Sequence, residues 1–208
     1  MQRNLCQSLD LKGRIIISTE GINGTLEGLD SDIAKYTQEV SQLSIFQDIL
    51  FKKSSGTSNC FPKLSIKIRD EIVTTNLIYN DQLGPHRNLT GKYLSSEDLH
   101  NWYQEGREFY MVDMRNDYEY QVGRFKNSIQ PQSLKHFSNL PEILPEIEHL
   151  KEKTIVTCCT GGIRCEKASG FLMYNNFTDV YQLKDGIVTY MEKYPNSNFL
   201  GKLYVFDG

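Results

Sequence analysis

The chain has 208 residues, 39% apolar and 24% charged, which is enough to bury a core and to build one or two compact domains. Its 23 Lys and Arg against 26 Asp and Glu leave a net charge of -3, so only a local basic patch can argue for nucleic acid. No run approaches the roughly 18 apolar residues that span a bilayer, and Arg3, Asp10 and Lys12 interrupt any secretory core near the start, so a soluble cytoplasmic protein without a membrane partner is expected.

In chain order, RIIIS (Arg14 to Ser18) reads as a buried strand. EGING (Glu20 to Gly24) reads as a glycine turn in which Glu20 and Asn23 can reach a substrate edge. DSDIAKYTQEVSQL, from Asp30, is a capped helix with apolar residues at helical spacing, and ILFKK and KLSIKIR are two more strands. Strands alternating with a helix over so short a stretch predict a small α+β unit of the ferredoxin-like kind. Within KLSIKIR, Leu64, Ile66 and Ile68 face one way while Lys63, Ser65, Lys67 and Arg69 face the other, the pattern of a half-buried strand with a wet cationic face.

The stretch from Asn76 to Gly91 is rich in turn formers, with Gly84-Pro85 its clearest breaker, and marks a domain boundary. The expected division is a first domain over 1–78, a linker over 79–91, a second domain over 92–195 and a C-terminal extension over 196–208. SSEDLHNWYQEG (Ser95 to Gly106) has a capping-box start and ends in glycine, as a helix does. EFYMVDMR follows as a strand, NDYEYQVG as a short helix, and NLPEILPEIEHL as a helix kinked or split at Pro145. Then come the strand KTIVTCC, a helix opening near Arg164, the strand DVYQL and a last helix GIVTYMEKY. Strands joined through helices predict a mostly parallel sheet wrapped by helices, with ligands at the carboxyl ends of its strands. The aromatic residues Trp102, Tyr118 and Tyr120 read as packing residues, with base stacking as the second reading.

The five cysteines, Cys6, Cys60, Cys158, Cys159 and Cys165, are odd in number and three crowd together, so reduced thiols are expected. His86, His100, His136 and His149 stand apart from each other and from the cysteines, and no zinc spacing exists. No metal and no cofactor is evident.

The chemistry sits in TCCTGGIRCE (Thr157 to Glu166), a strand end, a glycine turn and a helix start. Such a turn gathers backbone N–H groups into an anion-binding cup, and a thiol there has its pKa lowered by the helix terminus and by Arg164. Two frames compete. From Cys159 the loop Cys159, Thr160, Gly161, Gly162, Ile163, Arg164 has the size of a sulfurtransferase loop; from Cys158 it is the Cys-x5-Arg frame of a phosphatase. Spacing leaves both open. Strand alternation sends the two sulfurs to opposite faces, and Cys159 is chosen because it leaves the glycine pair in the middle of the turn. Cys158 is then a core residue. Cys165, in the first helical turn, reads as packing or as a resolving thiol. Asp113 and Arg115 flank the end of their strand and read as a network bracing the loop, while Arg124 is either a phosphate contact or a solvated charge.

CTGGIRCEKAS (Cys159 to Ser169), DMRNDYEYQVGRF (Asp113 to Phe125), EGINGT (Glu20 to Thr25) and YVFD (Tyr204 to Asp207) together resemble the rhodanese-domain tRNA uridine hydroxylases over nearly the whole chain. The resemblance implies a ferredoxin-like (acylphosphatase-like) N-terminal domain followed by a rhodanese-like parallel-sheet α/β domain. It implies oxygen-dependent conversion of a wobble uridine to 5-hydroxyuridine, with molecular oxygen as co-substrate, the anticodon arm of tRNA as partner and Cys159 as the active cysteine. With that partner, Lys63, Lys67 and Arg69, joined by Lys52 and Lys53 on an expected neighbouring strand, are the candidate surface for tRNA phosphates, with Arg124 a further candidate. The alternatives are a sulfurtransferase working through a Cys159 persulfide and a non-catalytic RNA- or protein-binding module. Three departures stand out: little precedes LKGRIIIS where a further strand is usual, the cysteine-rich tail is lacking, and Asp185-Gly186-Ile187 replaces Gly-Gly-Ile. The first two predict a trimmed chain with an N-terminal domain short of its first strand.

Overall fold

A computed structural model of the chain describes residues 1–46, 49–54, 56, 60–77 and 89–205. They form two units, the first spanning Met1–Ile72 and the second Val73–Val205.

The first unit is a three-stranded sheet in the order β2-β1-β3, made of β1 (Lys12–Ser18), β2 (Gly21–Glu27) and β3 (Leu64–Ile68). β1 and β2 pair as an antiparallel hairpin, Ser18 opposite Gly21, and β3 lies parallel to β1 on its other edge. EGING is therefore mostly strand; the turn is Thr19 and Glu20, and Gly24 disguised the alternation by lacking the side chain that Ile22 and Leu26 turn toward the core. The glycine is required there, because a Cβ would come within 2.5 Å of the Arg14 carbonyl oxygen on β1. Helices α1 (Gln2–Ser8) and α2 (Asp30–Ser41) supply Cys6, Tyr36 and Val40 to a core with Leu11 and Ile15. Tyr36 donates to Gln2 across it at 2.8 Å. The N-cap of α2 is Leu29, which offers no side-chain cap, so the helix expected to be capped is held by its packed face instead.

ILFKK is not a strand. Both edges of β1 are taken, and this segment instead packs Ile49 and Phe51 onto the core while Lys52 and Lys53 face solvent. The cationic strand is β3, but Ile68, expected inward, is 80% exposed at its end.

The second unit holds a parallel sheet in the order β4-β8-β7-β5, formed by β4 (Lys92–Leu94), β5 (Tyr110–Asp113), β7 (Thr154–Cys158) and β8 (Asp179–Leu183). Two core clusters form here, one around Phe171, Leu140 and Ile155, the other around Tyr190, Phe125 and Val156. Helix α3 (Ser96–Gln104) starts as expected, with the Asp98 amide donating to Ser95 Oγ at 3.0 Å. Helix α4 (Asp117–Val122) follows β5, and α6 (Ile163–Tyr174) links β7 to β8. The expected helix around Pro145 is three short pieces: a tight 3-10 turn at Phe137–Ile143, α5 (Leu144–Ile147), and a second 3-10 turn at Glu148–Leu150. Pro141 and Pro145 each lack an N–H, which prevents one continuous ladder.

Of the expected linker, residues 79–88, including Gly84-Pro85, lie outside the described residues. Thr90 and Gly91 are built into the second unit, where both hydrogen bond to Ser169 Oγ. Gln182 donates to the Thr90 hydroxyl and the Gly91 carbonyl. Helix α7 (Gly186–Lys193) is followed by β9 (Phe199–Gly201), which pairs antiparallel with β6 (Gly123–Phe125). Residues expected in a terminal extension thus close a second small sheet.

Candidate active site

β7 runs between β5 and β8, so Ile155 through Cys158 are all buried. Its alternation puts Ile155 in one core cluster and Val156 and Cys158 in the other. Cys158 therefore packs, and its burial followed by the nearby Asp113 carboxylate pushes its thiol well above the ordinary range. The Cys-x5-Arg frame therefore begins at a residue that packs in a core cluster. Cys159, one residue past the strand, leaves on the other side.

From there the backbone turns sharply. Gly162 sits in the left-handed region at φ +98° and opens α6, with Cys165 N–H donating to its carbonyl at 3.0 Å. The Gly162 amide donates to Cys159 Sγ at 3.2 Å. The loop carbonyls point elsewhere: Ile187 N–H donates to Cys159 O at 2.9 Å and Val188 N–H to Thr160 O at 3.1 Å. The start of α7 thus fastens the outer rim of the loop, which leaves amides facing the sulfur.

The electrostatics follow from this placement. Burial by itself raises the Cys159 thiol, but the Cys165 thiol beside it, the Arg164 guanidinium and the amides of Cys165 and Gly162 outweigh burial and bring it down to about 6. Cys165 moves the other way, pushed well above the usual thiol range by burial and by the neighbouring Cys159. Both residues have no exposed surface.

Arg164 is not a free cation over the cup. Its guanidinium forks onto Glu119, Nη1 to Oε2 at 2.7 Å and Nη2 to Oε1 at 2.9 Å, and Nη2 also donates to Thr160 Oγ1 at 3.1 Å. Thr160 in turn donates to Glu119 at 3.2 Å. Glu119 is fully buried; desolvation disfavours its carboxylate, yet Arg164 and the Asn116 amide hold it below the usual range. Sequence reasoning passed over Glu119. Its one signal is the spacing Asn116-x-x-Glu119, a capping box that opens α4.

Asp113 and Arg115 form a fully buried bidentate pair, Nε to Oδ1 at 2.9 Å and Nη2 to Oδ2 at 2.7 Å. Arg115 Nη2 also donates to the Gly123 carbonyl at 2.6 Å, so the pair ties the end of β5 to β6. It supports the sheet end rather than the Cys159 loop. Ile163 is half-buried, and Gly161 is exposed with open space where a Cβ would stand.

The basic candidates divide between the units. Lys63, Lys67 and Arg69 are exposed on and beside β3, and Lys52 and Lys53 are exposed on a segment of the same unit that is neither helix nor strand. Arg14, overlooked in sequence, stands exposed on β1 opposite Ser65 of β3 and Thr25 of β2. Arg124 belongs to the second unit, on β6, with its guanidinium 5.1 Å from the Tyr120 ring. Glu20 accepts the Ile72 amide at 2.7 Å, a structural role, while Asn23 lies on the strand β2. Tyr120 donates to the Ser128 carbonyl, Tyr118 packs edge-on to Tyr204, and Trp102 is covered by Arg107 at 3.8 Å. Among the described residues no group of three or more His, Cys, Asp or Glu is placed to hold a metal ion, and no helix is long and apolar enough to cross a membrane.

Residues 1–72 match the UPF0176 acylphosphatase like domain and residues 95–193 the rhodanese-like domain. The chain is 42% identical over 206 residues to a protein of Onion yellows phytoplasma, 43% over 205 residues to one of Bacillus licheniformis and 44% over 206 residues to one of Staphylococcus epidermidis, each named tRNA uridine(34) hydroxylase. Each alignment covers 97% of this chain and 65%, 62% and 62% of the respective relative, so the chain spans less than two thirds of their length. The chain thus carries a UPF0176 acylphosphatase like domain followed by a rhodanese-like domain, with CTGGIRCE at the end of the interior strand β7, and over 97% of its length it is similar to proteins named tRNA uridine(34) hydroxylase.

Proposed function

We propose that the chain hydroxylates the wobble uridine of tRNA to 5-hydroxyuridine, with Cys159 as its nucleophile and molecular oxygen as co-substrate. The observation that carries this reading is identity of 42–44% along 97% of the chain to proteins of that name. A sulfur held as thiolate supports it chemically. Addition of that thiolate to C6 of the uracil ring makes C5 electron-rich and open to an oxygen electrophile. One oxygen atom enters the ring, the other leaves as water, and the balance takes two electrons and two protons from a donor outside this chain. Cys159 has no exposed surface, so a pyrimidine reaches it only when residues that cover it move. Lys63, Lys67, Arg69 and Arg14 are the proposed phosphate contacts for the anticodon arm, with Lys52, Lys53 and Arg124 as outlying cations. A cytoplasmic location goes with a tRNA substrate.

Sulfur transfer through a Cys159 persulfide is the second reading, favoured by the rhodanese-like match and by the amide donors on Sγ. Nucleoside mass spectrometry on tRNA from cells lacking the protein separates the two. Loss of 5-hydroxyuridine-derived nucleosides, restored by wild type and not by Cys159→Ser, is the expected result. Loss of thiolated nucleosides instead means sulfur transfer, and rescue by Cys159→Ser means a binding module.

A further inference from the structure

The Cys159 loop holds a second thiol that uridine chemistry does not use. Cys165 lies in the first turn of α6, its amide on the Gly162 carbonyl at 3.0 Å while the Gly162 amide is on the Cys159 sulfur at 3.2 Å; its thiol hydrogen bonds with that sulfur, and both cysteines are sealed from solvent. Cys158 is no rival, because it leaves β7 toward the opposite core cluster. Cys159 has no exposed surface, so any reagent reaches it only when the residues covering it move, and a molecule as small as hydrogen peroxide needs the smallest opening.

We infer that Cys165 is the resolving thiol of Cys159, so that hydrogen peroxide converts the pair reversibly to an intramolecular disulfide. The Cys159 thiolate attacks one peroxide oxygen; an S–O bond forms, the O–O bond breaks, sulfur loses two electrons and hydroxide leaves. This gives a sulfenic acid. Cys165 then gives up its proton and attacks the Cys159 sulfur; the S–S bond forms, the S–O bond breaks, and the departing hydroxide takes a proton to become water. In sum, two thiols and one hydrogen peroxide give one disulfide and two waters. The order of events suits the site. Burial and the neighbouring Cys159 anion hold Cys165 protonated; once Cys159 has become a neutral sulfenic acid the second of these is removed, and Cys165 gives up its proton more readily than before. The result protects the nucleophile from over-oxidation.

The test needs no tRNA, so it stands apart from the proposed activity. The full chain is treated with about one equivalent of hydrogen peroxide at neutral pH, alkylated and digested with trypsin without reduction. Cleavage after Arg164 separates Cys159 from Cys165, so a disulfide appears as two joined peptides whose fragmentation assigns the sulfur. The expected product is Cys159 joined to Cys165, fully reversed by dithiothreitol. In Cys165→Ser and Cys165→Ala, each verified as folded by circular dichroism, Cys159 is expected to proceed to sulfinic and sulfonic acid at peroxide doses that leave wild type recoverable. Wild type that yields over-oxidised Cys159 beside a freely alkylated Cys165, a bridge to Cys158, or unchanged recovery in both variants overturns the inference.

Discussion

Cys159 and Cys165 share one buried environment and are driven in opposite directions by it, because the amides and Arg164 favour only one anion. The sign of the pH dependence follows. Cys159 has its pKa lowered, so its thiolate persists down to a pH of about 6, whereas a free thiol ionises near ~8.5. Stability from this ionisation is present above the ordinary thiol pKa and is lost as pH falls through about 6. Alkylation of Cys159 by iodoacetamide is therefore expected to rise to half its plateau near the lower value. Arg164→Gln removes the cation and moves that midpoint up. Glu119→Gln removes the counter-charge of Arg164 and moves it further down, provided circular dichroism verifies folding, since either change breaks a buried pair at a cost of ~3–5 kcal/mol. Midpoints that move in the same direction sink this account of the thiolate. The sequence disclosed Cys159, the glycine pair and Arg164 because one continuous turn carries them. It did not disclose Glu119, which meets Arg164 from 45 positions away, where only the fold makes them neighbours.

Among the elements, those whose pattern is local were legible and those that depend on a partner were not. β7, α6, β8 and α7 stood out because a strand, a glycine and an amphipathic run follow each other without interruption. β6 and β9 are three residues each, and nothing in GRF or FLG says that they pair until both are packed against Tyr190 and Arg115. ILFKK failed for the same reason, since Ile49 and Phe51 reach the core without the segment joining the sheet. The junction between α7 and the cysteine loop is the element-scale feature on which the site depends. Gly186 has φ +74°, and a Cβ there would run into the Thr160 and Cys159 carbonyl oxygens that α7 binds. Gly186→Ala is expected to destabilise the second unit by at least ~2 kcal/mol, combining left-handed backbone strain with the clash. It should also raise the alkylation midpoint of Cys159, because a displaced loop turns its amides off the sulfur. Equal midpoints in wild type and Gly186→Ala would show that α7 does not position the loop.

For the molecule as a whole, a net charge of -3 means that long-range attraction does not bring RNA to this protein, so the proposed tRNA contact depends on where the cations lie. The sheet of the first unit concentrates them. Its buried face carries Ile15, Ile17, Leu64 and Ile66, and alternation turns Arg14, Ser65 and Lys67 to the other, with Lys63 and Arg69 at the ends of β3. The nearby carboxylate of Glu27 is already engaged by the amides of Cys60 and Phe61, at 2.9 and 2.8 Å, which makes it a fixed part of the sheet edge. Each phosphate neutralised releases counterions and adds roughly 0.7–0.9 to the slope of log affinity against log salt. Changing Arg14, Lys67 and Arg69 together to Gln is therefore expected to lower the slope for an anticodon stem-loop by about 2–3 and to weaken binding at low salt. All three side chains are exposed, so stability should shift by no more than ~0.5 kcal/mol per site. The alkylation midpoint of Cys159, in the other unit, should not move. A slope unchanged by the triple substitution, with affinity retained, would remove this sheet face from the substrate path and leave Arg124 on β6 as the cation to test next.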